Sequence, residues 1–182
     1  MRIGIIGPTN IEATSRAAGL DPAVCEHTAR AAGEGLAQSG YTVVLVPDRG
    51  VGLLAAEAYR AAGGPRLVGI IPDGGTAGQA ATSRCDEHRD LCHEIVAGLP
   101  WTEQHQRICQ LSDMLLCIGM SCGTISELAW TKWVGDTPVV VIRSLLSGIP
   151  PEVEAETDLR WVEDLEEAFR HLARWPHRNA VR

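Results

Sequence analysis

The chain has 182 residues, enough for one domain whose core needs no disulfide staple. Its 45% apolar and 21% charged residues exclude intrinsic disorder, and no apolar run approaches the ~20 residues of a membrane span. A net charge of −7 and a pI near 5.3 argue against a sequence-blind nucleic-acid binder, which needs a basic face; a small anion held by backbone N–H groups stays compatible. Aromatic residues are 4%, too few for a base-stacking platform. The N-terminal apolar stretch is too short for a signal peptide, so a cytoplasmic location is expected and the six cysteines are expected as free thiols.

Residues 2–6 read as a buried strand closed by the turn Gly7-Pro8-Thr9-Asn10. Asp21-Pro22 opens a helix over 23–39, with Asp as cap and Pro in the first turn, and Gly40 ends it. The β-branched, apolar run 41–46 fits a parallel strand covered on both faces. A turn at 47–50 leads to a helix over 52–62, stopped by Gly63-Gly64, and a strand over 67–71. Residues 72–84 read as a loop and 86–96 as partly helical. A helix over 101–112 precedes a strand at 114–118, a turn at 119–123 and a helix from Thr124 to about Val134. A strand over 137–142 follows, Pro150-Pro151 breaks the chain, and an amphipathic helix over 162–175 closes it.

Strands alternating with helices along one domain of residues 1–182 give an α/β fold, Rossmann-like, with a mainly parallel sheet and helices on both faces. Ligands of such folds sit beyond the carboxyl ends of the strands.

The segment Ile118-Gly119-Met120-Ser121-Cys122-Gly123-Thr124-Ile125-Ser126-Glu127 takes a buried strand through a glycine turn into a helix. A helix start presents free N–H groups and partial positive charge, so Ser121, Gly123 and Thr124 are candidate phosphate holders. Glu127, one turn on, suits a sugar hydroxyl or general acid/base work. The same spacing fits a capping box equally well, with Thr124 as cap and Glu127 at the third position.

This segment resembles the second half of the Pro-Gly-Gly-x-Gly-Thr-x-x-Glu signature of the LOG family, the Rossmann-like proteins once labelled lysine decarboxylases, whose relatives include the molybdenum cofactor carriers and DprA-like domains. Ser112-Asp113-Met114-Leu115-Leu116-Cys117-Ile118 and Thr137-Pro138-Val139-Val140-Val141 are similar to the family strands on either side. Upstream, Gly52-Leu53-Leu54, Ala61-Ala62-Gly63-Gly64 and Val68-Gly69-Ile70-Ile71-Pro72 match further family segments in order. The resemblance implies a homodimer and a site for a nucleoside 5′-monophosphate, with hydrolysis to base and ribose 5-phosphate in the enzymes. Carried over by position, Glu127 is the catalytic carboxylate. The family's arginine falls at Gln104, which makes Arg107, one helical turn later, the candidate partner. Gly119, Ser121, Gly123 and Thr124 form the phosphate cradle, and Gly7, Thr9, Arg49 and Gly50 the other walls. The family's Pro-Gly-Gly is Gly119-Met120-Ser121 here, and its first glycine cluster is Pro47-Asp48-Arg49-Gly50.

The expected ligand is thus a small phosphorylated, nucleotide-like molecule, with neither nucleic acid nor membrane as partner and no resident cofactor. Two alternatives stand beside hydrolysis. One is a carrier of a phosphorylated cofactor without chemistry; the other is a scaffold whose Met120 fills the phosphate site. Cys85, His88 and Cys92 offer soft and imidazole ligands without matching a zinc pattern, as do His105 and Cys109 at i, i+4, so no metal site is assigned. Cys122 sits at a helix start, where thiolate is favoured.

Overall fold

The computed structural model describes residues 1–74 and 78–175. Seven parallel strands form one sheet in the order β4-β3-β2-β1-β5-β6-β7. They are β1 Arg2–Ile6, β2 Thr42–Leu45, β3 Leu67–Ile70, β4 Glu94–Val96, β5 Met114–Cys117, β6 Val139–Ile142 and β7 Leu159–Val162. The helices are α1 Ile11–Ala17, α2 Pro22–Gln38, α3 Gly50–Ala61, α4 Gln104–Leu111, α5 Cys122–Trp133, α6 Pro151–Glu154 and α7 Leu165–Arg174. The strand order reverses between β1 and β5, where Ile3 pairs with Met114 and Ile6 with Cys117. Such a switch point leaves a crevice at the carboxyl ends of the two strands.

Period-2 alternation sends strand side chains into two cores. Ile3, Ile5, Val43, Leu45 and Leu116 pack with α2, α3 and α7, while Ile6, Val44, Leu115, Cys117 and Val141 pack with α4 and α5. The central strands are buried on both faces, which is why they read as continuous apolar runs.

Several segments depart from the sequence reading. The turn after β1 runs into α1, capped by Asn10, whose side chain accepts the Ala13 amide. Residues 86–96 hold a 3-10 segment, Cys85–Leu91, and then strand β4 rather than helix alone. The loop over 72–84 contains a short 3-10 turn, Gly78–Thr82, and its residues 75–77 lie outside the described residues. Pro150-Pro151 starts α6 instead of breaking the chain, since Pro at the first helical position loses no hydrogen bond. The closing helix begins at Leu165, and strand β7 precedes it.

Candidate functional site

The crevice at the switch point holds a cavity of about 400 Å³. Its walls come from the turn after β1 (Gly7, Thr9), the turn after β2 (Asp48, Arg49), the start of α4 (Trp101, Gln104, His105, Ile108) and the start of α5 (Ser121, Cys122, Gly123, Ser126, Glu127). Val51 at the start of α3 donates its amide to the Pro8 carbonyl, clasping the first two turns together. Gly50 lies there at φ +55, and a Cβ on it would fall 2.3 Å from the Pro8 oxygen, so only glycine fits.

The N-cap of α5 is Ser121, not Thr124. Ser121 is extended (φ −153, ψ 174), and its Oγ accepts the Thr124 amide at 3.1 Å. The helix therefore starts earlier than the sequence reading placed it, and Thr124 is fully buried with its hydroxyl 2.9 Å from Ser121 Oγ. The Ile125 amide is taken by the Ser121 carbonyl. Of the first four amides of α5, those of Cys122 and Gly123 then meet no acceptor among the described residues. Glu127, the sixth residue of the helix, takes no part in the cap.

Glu127 is 8% exposed and faces α4, where its Oε1 lies 3.2 Å from His105 Nδ1. Burial pushes its carboxyl above the ordinary carboxylate range, and the hydrogen bond and charge of His105 oppose that only in part. Cys109, one turn after His105, gives its thiol to the backbone oxygens of His105 and Glu127. Asp48 is wholly buried at the opposite wall, with the Arg84 amide on one carboxylate oxygen at 2.6 Å and Arg49 Nε on the other at 3.3 Å. The charge beside the candidate anion site is thus engaged within the protein.

Of the residues singled out from the sequence, Gly7, Thr9, Arg49, Ser121, Gly123 and Glu127 share this cavity. Gly50 lines an adjoining, more open cavity of about 630 Å³, which Thr9 and Arg49 also border. Gly119 borders a recess of about 230 Å³ on the far side of its turn, with Met120 and Pro8. Met120 therefore lies outside the cleft that it would fill in a scaffold. Arg107, half-buried on α4, is not among the cavity's lining residues; Gln104, His105 and Ile108 of that helix are.

Among the described residues no three His, Cys, Asp or Glu side chains come together as metal ligands. His88 Nδ1 lies 2.7 Å from the Pro47 carbonyl oxygen, and Cys85 is buried. Trp101 and Ser126 were not legible as site residues, Gln104 was marked only as the place of the family's arginine, and His105 stood out only as half of a Cys–His pair. For Trp101, Gln104 and His105 the signal was the helical register 101–104–105–108, which puts one face of α4 toward the crevice.

A family model described as the SLOG cluster4 family matches residues 1–169. The chain belongs to the SLOG cluster4 family. Solved structures share its fold. The Moco carrier protein from Chlamydomonas reinhardtii is 21% identical over 94% of both chains, with a TM-score of 0.68. The molybdenum cofactor binding protein from the phototrophic bacterium Rippkaea orientalis is 19% identical over 94% of both chains, with a TM-score of 0.67. DNA processing protein A from Helicobacter pylori, described as binding single-stranded DNA, is 14% identical over 95% of this chain and 80% of its own, with a TM-score of 0.65. No curated protein sequence matches the chain. These likenesses place the SLOG cluster4 chain in the Rossmann-like α/β architecture. Among its described residues no helix is long and apolar enough to cross a membrane.

Proposed function

We propose that this SLOG cluster4 protein holds a small phosphorylated ligand, a nucleotide or a molybdenum-cofactor-like molecule, in the β1–β5 cleft as a carrier that does not turn it over. The observation that carries this reading is the pair of acceptor-free amides, Cys122 and Gly123, on the wall of a cavity of about 400 Å³ that Arg49 also lines. Carriage is favoured over hydrolysis because Glu127 is held by His105 at the cavity wall, and the arginine that the LOG enzymes pair with this carboxylate has no counterpart beside it. The likeness to a Moco carrier protein and to a molybdenum cofactor binding protein, each over 94% of both chains, supports the same choice.

In this reading the phosphate sits on the Cys122 and Gly123 amides, with Ser121 fixing the helix start, and Arg49 reaches it from the turn after β2. Gly7 and Thr9 flank it, and Gly50 sets the α3 start on the adjoining wall. Thr124, buried, supports the cap from beneath. Glu127 with Arg107 is the catalytic pair only under hydrolysis. The protein acts in the cytoplasm as a homodimer, and its net charge of −7 favours a small ligand over nucleic acid.

The test incubates purified protein with nucleoside 5′-monophosphates and with molybdenum cofactor, following melting temperature and released base, with Glu127→Ala as control. A ligand present at a hundred times its Kd stabilises by ~2.7 kcal/mol, a rise of about 5–10 °C for a domain of this size. A rise without base release is expected. Release that depends on Glu127 overturns the carrier in favour of hydrolysis, and no shift with any ligand overturns both.

A further inference from the structure

The cavity's charge raises a difficulty that its own residues resolve. Besides the thiol of Cys122, four charged or titratable residues line it: Asp48, Arg49, His105 and Glu127. The charge of Arg49 is balanced by Asp48, which its Nε meets. With Glu127 ionised and His105 neutral, the four sum to −1, which repels an anion at the Gly123 amide.

The imidazole of His105 stands beside Gly123. Its Cε1 lies where a Cβ on Gly123 would come within 3.3 Å. Nδ1 faces Glu127 Oε1, and Nε2, on the other side of Cε1, has no partner among the described residues. No buried side-chain nitrogen or oxygen among them lacks a partner, so Nε2 is open to the cavity.

We propose that His105 is the anion-binding donor of this cleft, aimed by Glu127 as its positioning residue, and that the ligand's phosphate binds the His105–Glu127 dyad when the dyad carries two protons. This rests on the cleft reading above. With one proton, the dyad places it on Nδ1 against the carboxylate, and Nε2 offers a lone pair to the cavity. With two protons, Nε2 carries N–H whether the second proton sits on imidazole or on carboxyl. Both distributions leave the dyad neutral. A phosphate oxygen then meets the Gly123 amide and Nε2–H side by side, and binding draws one proton from solvent.

The groups facing the dyad agree with this. From α5 come Glu127 itself and the exposed Cys122; from the turn after β2 come the Asp48–Arg49 pair; from α4 comes Cys109. Burial holds the Cys109 thiol up to about 12, so it stays protonated throughout the neutral range. Burial also favours the neutral carboxyl of Glu127.

Inorganic sulfate is the probe, because its charge does not change between pH 5.5 and 8.5. Its affinity is read from the Cys122 and Gly123 amide resonances, and proton uptake from calorimetry in buffers of different ionisation heat. In the wild type, affinity falls by ~tenfold per pH unit above the dyad's midpoint, and uptake approaches one proton. The double variant His105→Gln/Glu127→Gln, which keeps an N–H donor and removes both titrating groups, makes affinity independent of pH and abolishes the uptake. Glu127→Gln moves the midpoint to lower pH. Sulfate that shifts both amides with the same affinity at every pH, or a pH dependence that persists in the double variant, overturns the dyad and leaves the cleft reading standing. Sulfate that shifts neither amide at any pH overturns the cleft reading and the dyad with it.

Discussion

Gly33 on α2 lies so close to Ala55 on α3 that a Cβ on Gly33 would fall 2.2 Å from the Ala55 carbonyl oxygen. Both helices pack on the same face of the sheet, and α3 brings Arg49 and Gly50 to the cavities at its start. Gly33→Ala is expected to force the helices apart at a cost of ~1–3 kcal/mol. Urea unfolding at 25 °C checks this, as a lower midpoint at unchanged slope.

Ser121 supplies the cap of α5, and its Oγ also meets Thr124 Oγ1. Ser121→Ala is expected to lower stability by ~0.5–2 kcal/mol, and Ser121→Asp to retain most of it, because a carboxylate caps as well. Thermal melts of the three proteins decide this. Equal melting of Ser121→Ala and wild type rules out the cap as a source of stability.

Glu127 is a buried carboxyl held above its usual range mainly by burial. The folded state therefore keeps its proton to higher pH than the unfolded chain does. Stability from this group is present below the unfolded value near ~4.3 and is lost as pH rises through the raised folded value. Glu127→Gln removes that loss. The melting temperature of the variant relative to wild type should rise as pH climbs above about 4 and level off above the folded value, which scanning calorimetry across the pH range measures.

The thiols divide sharply. Cys122 is exposed, Cys92 is partly covered, and Cys25, Cys85, Cys109 and Cys117 are buried. Burial pushes Cys25 and Cys85 up to about 11 and Cys109 to about 12. A disulfide reagent at pH 7.5 should consume one thiol quickly, a second slowly, and the remaining four only in denaturant. Because these folded values lie above the unfolded thiol near ~8.5, stability should fall as pH rises from about 8.5 toward 11.

The elements legible in the sequence were those whose pattern is local and strong. β1, β2, β3, β5 and β6 are apolar runs closed by turns, and α2 carries Asp21 and Pro22 at its start. The edge strands were not legible. Glu94-Ile95-Val96 is three residues long and only partly covered, so little in its composition separates it from loop. Leu159–Val162 mixes Arg160 and Trp161 into its run, and the apolar spacing of the helix after it drew Val162 into that helix. The cavity was legible where its wall depends on a helix start, from Ser121 to Glu127. Its α4 wall was not, because the bond that fixes His105 joins residues 22 apart in sequence, and no local rule pairs them.

The central strand also orders the chain's birth in time. The Arg2 amide bonds to Asp113, 111 residues later, and β1 can pair with β2 long before β5 exists. At roughly 5–20 residues per second, synthesis leaves one edge of β1 without its neighbour for roughly 6–20 s. A nascent chain halted before residue 114 carries an apolar strand edge with no partner, the kind of surface that chaperones cover. The cleft is completed only when α5 follows β5, so such a truncated product lacks the wall from Ser121 to Glu127 and with it the Cys122 and Gly123 amides.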